Sequence, residues 1–96
     1  MSMDIKLKGS DKIMSTSYFI DCCIDAICKY YEKEFNLTIF PNEVLQVWFS
    51  KSLQNFKGIF ITDKEDKLFF EFTFNGDKDE LYMDVYDKIH NEKFSR

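Results

Sequence analysis

The side chains of this 96-residue chain that could do covalent or metal chemistry are one histidine, His90, three thiols, Cys22, Cys23 and Cys28, the hydroxyls of Ser50, Ser52 and Thr62, and the alternating acids of Asp77-Lys78-Asp79-Glu80. A hydroxyl or thiol nucleophile needs a base within hydrogen-bond reach. Ser50, Ser52 and Thr62 lie far from His90 in sequence, so a triad built on them would require His90 to fold back onto the first strand of the domain. The thiols are odd in number and two are adjacent, which suits neither a disulfide framework nor a Cys-x-x-Cys zinc site. They read as reduced, packed small side chains. The acidic run lacks the twelve-residue ligand spacing and the glycine of a calcium loop. In its place Asn75-Gly76 reads as a tight turn supplying a positive φ. The sequence therefore leads to no expected catalytic residue, metal or cofactor, and a non-enzymatic protein is expected.

Two other constellations suit binding. Leu45, Val47 and Phe49 alternate with Gln46, Trp48 and Ser50, a period of two that splits a strand between two faces. Ile59 and Ile61 continue the first face, as do Leu68, Phe70, Phe72 and Phe74. With the helices covering that first face, Trp48, Phe60 and Phe69 project from the opposite side of the sheet, beside Gln46, Thr62 and Glu71. Aromatics on an uncovered face mark an interface, with a foreign protein or with a second copy. The acids Asp63, Glu65, Asp66, Asp77, Asp79, Glu80, Asp84 and Asp87 give the C-terminal half a negative rim. Such a rim either solubilises, interleaved with Lys64, Lys67, Lys78 and Lys88, or imitates a nucleic-acid backbone in a basic groove.

The elements that must carry these residues follow from periodicity. Residues 1–14 show weak alternation and contain Gly9-Ser10, and read as a flexible leader; residues 15–96 read as one domain. Ser15-Thr16-Ser17 offers N-caps, and Ile20, Cys23, Ile24, Ile27, Tyr30 and Tyr31 form one stripe, predicting a helix over 18–35. Asp21 and Asp25 toward its start and Lys29 and Lys33 toward its end suit the helix dipole. Pro41 disfavours helix at Phe40 and marks a new element. Between Val44 and Lys88, three alternating runs separated by Gln54-Asn55, Lys64-Glu65-Asp66 and Asn75-Gly76-Asp77-Lys78 predict a three-stranded antiparallel meander. Residues 79–91 fit both periods: Leu81, Met83 and Val85 alternate, while Leu81, Val85 and Ile89 step by four. Their length and end charges favour a helix capped by Asp77 or Asp79. The expected fold is α+β, ordered α-β-β-β-α, with one helix followed by four strands as the alternative.

Val47-Trp48-Phe49-Ser50-Lys51-Ser52-Leu53-Gln54-Asn55, Phe74-Asn75-Gly76-Asp77-Lys78 and Glu80-Leu81-Tyr82-Met83-Asp84-Val85-Tyr86 together resemble an uncharacterised family of small phage and prophage proteins of Gram-positive bacteria, over residues 44–90. The resemblance implies a phage-encoded accessory protein working in a bacterial cytoplasm. It carries no established activity to transfer.

Composition narrows the function classes. With 17 acidic and 13 basic residues the net charge is −4, so the overall field repels nucleic acid. No signal peptide is evident and no apolar run approaches the roughly 20 residues of a membrane span. Lys57-Gly58-Ile59-Phe60-Ile61 echoes an RNA-recognition strand, but Ile59 stands where an aromatic would stack. The α-β-β-β-α order is that of a double-stranded-RNA-binding domain, yet the second helix would open Asp77-Lys78-Asp79-Glu80 where such domains carry lysines. The expectation is a cytoplasmic, acidic phage protein that binds a host or defence-system protein, of anti-CRISPR or anti-restriction type. Its binding residues are expected to be Trp48, Phe60, Phe69, Asp77, Asp79, Glu80, Asp84 and Asp87. A nucleic-acid-binding module using the open sheet face is the alternative.

Overall fold

A computed structural model describes residues 2–5, 14–64 and 68–87 of the chain. Its first strand, β1 (Ser2–Ile5), precedes a long helix, α1 (Thr16–Phe35), and a single 3-10 turn over Pro41–Glu43. Four further strands follow: β2 (Val44–Ser52), β3 (Asn55–Thr62), β4 (Leu68–Asn75) and β5 (Glu80–Asp87). All neighbours are antiparallel in the order β1-β5-β4-β3-β2, so β2 to β5 form a meander and β1 adds to its far side. The chain is thus a single α+β domain, a helix followed by four consecutive antiparallel strands, with one more strand ahead of the helix.

The helix forms where its stripe and caps place it. The hydroxyl of Ser15 accepts a hydrogen bond from the Tyr18 amide at 3.2 Å, satisfying one donor that the first turn leaves free. At the other end Asn36 takes the left-handed conformation, φ 51°, and the amides of Asn36 and Leu37 donate back to Glu32 and Tyr31. One face of α1 lies on the sheet, burying Phe19, Cys23, Ile27 and Tyr31 completely. Ile39, Val44, Phe56, Phe60, Phe70, Phe72, Phe74, Leu81 and Met83 join them in the core. Phe19 stacks on Phe56 at 5.2 Å between ring centroids. A buried polar contact between the hydroxyls of Tyr31 and Thr62, at 3.2 Å, ties the helix to the end of β3.

The favoured helix over 79–91 is not formed: residues 80–87 are strand β5, and residues 88–91 lie outside those described. The four-residue step of Leu81 and Val85 arises because both occupy one face of a strand, with Met83 between them. Asp77 and Asp79 therefore cap no helix. Asn75 begins a turn in which its Oδ1 accepts from the amides of Asp77 and Lys78, and the turn closes at Asp79, whose φ is 53°. That left-handed position falls to Asp79 and not to Gly76. Gly76 serves a different need, because a Cβ there would run into the carbonyl oxygen and Cβ of Gln54 on the neighbouring hairpin. Residues 2–5, read from sequence as part of the leader, pair with β5 from Ser2↔Asp84 to Ile5↔Leu81.

Candidate interaction surface

Helix α1 covers one face of the sheet, and no described element covers the other. The register places the residues of that second face in cross-strand rows, because side chains of directly paired residues share a face. One row runs Leu45, Ile61, Phe69, Tyr86, and the next runs Trp48, Ile59, Glu71, Asp84. A third row, Ser50, Lys57, Thr73 and Tyr82, is mostly polar. The face is thus graded: apolar where β2 and β3 begin and end, acidic along β4 and β5, and polar toward the Gly76 turn. Leu45, Trp48 and Tyr86 keep 50%, 46% and 42% of their surface exposed, far above what a core position would show. A groove of about 520 Å³ crosses the apolar end, between Val47, Ile59, Ile61, Leu68 and Phe69, with Lys64 at its rim.

A bulge sets this arrangement. Gln46 opposes Phe60 and Trp48 opposes Ile59, so Val47 is an extra residue that opposes nothing. Before it, Val44 and Gln46 lie on the helix face; after it, Phe49 and Lys51 do. Leu45 and Trp48 therefore both reach the open face although three positions separate them, and Val47, 53% exposed, joins them. The expectation that Leu45 and Val47 face the helix fails at this point. Phe49 meets it, its ring 5.9 Å from that of Phe19.

Phe60 also departs from the expectation. It is 1% exposed and packs edge-on against Phe72 at 5.6 Å, in the core and away from the open face. Ile59 and Ile61 take the outer positions that were assigned to it. In β3 both phases are apolar, Phe56, Gly58 and Phe60 against Ile59 and Ile61, so alternation alone does not choose. Gly58 chooses. A Cβ at Gly58 would come within 3.3 Å of the Phe19 ring, so the glycine must lie under the helix and carries Phe56 and Phe60 with it. That glycine was the available signal for the correct phase, whereas no residue in β2 announces the bulge.

Trp48 and Phe69 stand on the open face as the sequence placed them. Phe69 stacks with Tyr86 at 5.1 Å and an interplanar angle of 21°. The Tyr86 hydroxyl donates to Glu71 at 3.5 Å, and Lys57 reaches the other carboxylate oxygen of Glu71 at 3.6 Å. Glu71 pushes the phenol of Tyr86 above its ordinary value, with desolvation and Asp84 adding to the effect. The negative rim is not one cluster. Asp77, Asp79 and Glu80 lie at the turn end of the sheet, where Asp77 accepts from the side-chain amide of Gln54 at 3.4 Å. Asp84 stands mid-strand on the open face beside Glu71, and Asp87 lies on the opposite face at the far end of β5, roughly 24 Å from Glu80 at strand rise. Glu65 and Asp66 lie outside the described residues.

The thiols form no reactive group. Cys23 is fully buried, and burial drives its pKa well upward; Cys22 and Cys28, half-buried, are raised for the same first reason. Among the described residues no set of three metal-ligating side chains comes together, and no described helix is long and apolar enough to cross a membrane.

No curated protein and no solved structure matches the chain. A family model does match residues 20–96, which include the whole of the β2–β5 meander and almost all of α1, and the chain therefore belongs to DUF6275, a family of unknown function.

Proposed function

We propose that this chain is a small acidic phage accessory protein that works by binding another protein through the open face of its sheet. The observation that carries this reading is the pair of adjacent rows, Leu45-Ile61-Phe69-Tyr86 and Trp48-Ile59, on a face that no described element covers. Aromatic and branched side chains gathered around a groove, with charges at the margin, are the composition of an interface centre and its rim. The acids nearest this patch, Glu71 and Asp84, suit a partner surface that pairs basic side chains with apolar ones. A host or rival defence protein that handles nucleic acid, of CRISPR or restriction type, presents such a surface, and inhibiting it in the bacterial cytoplasm is the specific role proposed. The proposed contacts are Trp48 and Phe69 with Leu45, Ile61 and Tyr86. Asp84 supplies charge within the face, Asp77, Asp79 and Glu80 supply it at the turn end, and Phe60, in the core, and Asp87, on the opposite face, take no part.

The test is capture by the tagged protein from a Gram-positive lysate, split into nuclease-treated and untreated halves. A stoichiometric protein partner retained after nuclease, and lost on Trp48→Ala with Phe69→Ala while circular dichroism is unchanged, supports the reading. Capture indifferent to the double substitution overturns the assignment of the face. A second reading, stacking of single-stranded nucleic acid on Trp48 and Phe69, is favoured by Lys64, which shares the groove with Phe69. Glu71 and Asp84, in the row of Trp48, oppose a phosphate backbone, and recovery that depends on nucleic acid is the result that would reverse this judgement.

A further inference from the structure

The two rims of the sheet are unequal. At one rim β1 is four residues long, the short form in which natural sheets leave an edge. At the other, β2 runs for nine residues with no proline and one charged side chain, Lys51, near its end. Among the described residues nothing pairs with the outer side of β2, so a row of backbone donors and acceptors roughly 30 Å long stands open.

The exposed apolar residues along this rim are Phe40, Leu45, Val47, Trp48 and Leu53, which keep between 46% and 88% of their surface. Their positions are symmetric about the midpoint between residues 46 and 47: Leu45 mirrors Trp48, Phe40 mirrors Leu53, and Val47 mirrors Gln46. The two ends differ, with Glu43, already paired with Lys64 at 3.1 Å, before the strand and Lys51 near its close. An antiparallel arrangement sets each end beside its opposite. The bulge brings every mirrored pair but the central Gln46 and Val47 onto a shared face. In a regular strand, partners three positions apart in number, such as 45 and 48, would point to opposite faces, but the extra residue Val47 puts both on the open face, and Val44 and Phe49 both on the helix face.

From these features we propose that two copies of this chain pair through β2 about a twofold axis, Leu45 of each against Trp48 of the other and Phe40 near the other's Leu53. The product is one continuous ten-stranded sheet with both helices on one side and both open faces joined on the other. The interface is isologous, so one set of residues covers both edges. Its strip of sheet edge, roughly 30 Å by 10 Å, or about 300 Å² per copy, falls below the roughly 800 Å² of a standard interface. The dimer therefore dissociates on dilution.

Sedimentation of the full chain over a wide concentration range tests this directly, with the mass expected to rise twofold as concentration increases. Val47→Lys, at an exposed position, should hold the protein at the monomer mass with an unchanged circular dichroism spectrum. Leu45→Cys with Trp48→Cys, in a Cys22→Ser and Cys28→Ser background, should form a covalent dimer on oxidation, since directly opposed positions meet disulfide geometry. A monomer at every concentration overturns the proposal, as does a dimer that Val47→Lys leaves intact or that the paired cysteines fail to trap. Phe69→Ala separates this from partner capture: it lies two strands inward, and should abolish capture while leaving the dimer mass unchanged.

Discussion

Replacing Phe60 and Val47 separately by alanine tests which phase of the sheet faces the helix. Phe60 is 1% exposed and makes an edge-on contact with Phe72. Truncating such a ring leaves a cavity among Phe56, Phe70 and α1 that rigid neighbours fill poorly, at a cost of about 3–5 kcal/mol. For a domain of this size that corresponds to a fall in Tm of roughly 12 °C or more. Val47→Ala removes two methyl groups worth about 0.8 kcal/mol each when fully buried. With 53% of Val47 already exposed, about half of that is at stake, and the expected loss is about 0.8 kcal/mol. Strict alternation through β2 and β3, with no bulge and with Ile59 inward, gives the reverse order. Urea unfolding followed by circular dichroism measures both, with an unchanged slope confirming that stability alone has moved. Phe60→Leu, expected to cost about 1.5 kcal/mol or less, keeps the comparison usable if the alanine variant does not fold. A Val47→Ala loss equal to or larger than that of Phe60→Ala would refute the assigned register.

Gly76→Ala should destabilise the domain by about 1–3 kcal/mol, because the new Cβ meets the backbone of Gln54 and the Gly76 amide is held at 3.0 Å by the Asn55 side chain; thermal melts read the loss. Leu53→Gly should raise monomer stability by about 0.4–1 kcal/mol, since Leu53 sits at φ 56° in the hairpin turn, and chemical melts of the dilute protein check it. In native protein an alkylating reagent should modify Cys22 and Cys28 slowly and Cys23 only on unfolding, because burial raises all three thiols and Cys23 most; peptide mass mapping decides it. The carboxyl of Glu43 is held below its usual range by the Phe40 amide at 2.7 Å and then by Lys64 at 3.1 Å. Its contribution is present above the ordinary value of about 4.3 and is lost as pH falls through the lower folded value, so Glu43→Gln should flatten that part of the acid limb in Tm against pH.

The residues made some levels of this structure legible and concealed others for identifiable reasons. The helix was readable because its stripe repeats over five turns and its ends carry Ser15 and Asn36, so local and tertiary preferences agree. The strand boundaries were readable because polar turn residues interrupt the apolar runs. The identity of β5 was not, since an eight-residue segment with apolar residues at every second position also places two of them four apart. Face assignment was legible in β4, where Phe70, Phe72 and Phe74 alternate with Phe69, Glu71 and Thr73 and the larger set is clear. It was ambiguous in β3, where both phases are apolar, and concealed in β2, where a bulge shifts the phase without any glycine or proline to mark it. As a result Trp48 and Phe69 were identified from sequence, while Leu45, Ile59, Ile61 and Tyr86 were not.

These same ambiguities bear on what the open face does. A strand selected only for folding on one helix needs one apolar phase, and solvent favours a polar second phase. In β3 the second phase is isoleucine, in β2 it includes tryptophan, and the turn between them exposes Leu53 in a backbone conformation that favours glycine or asparagine. The exposed part of Trp48 stays hydrated and the left-handed Leu53 is strained, so neither of these two choices stabilises the isolated domain. Each gains a purpose if the surface is covered when the protein acts. The rows that obscured the phase of the sheet are then the rows on which binding depends, while the opposite face, packed under the helix, holds the fold together.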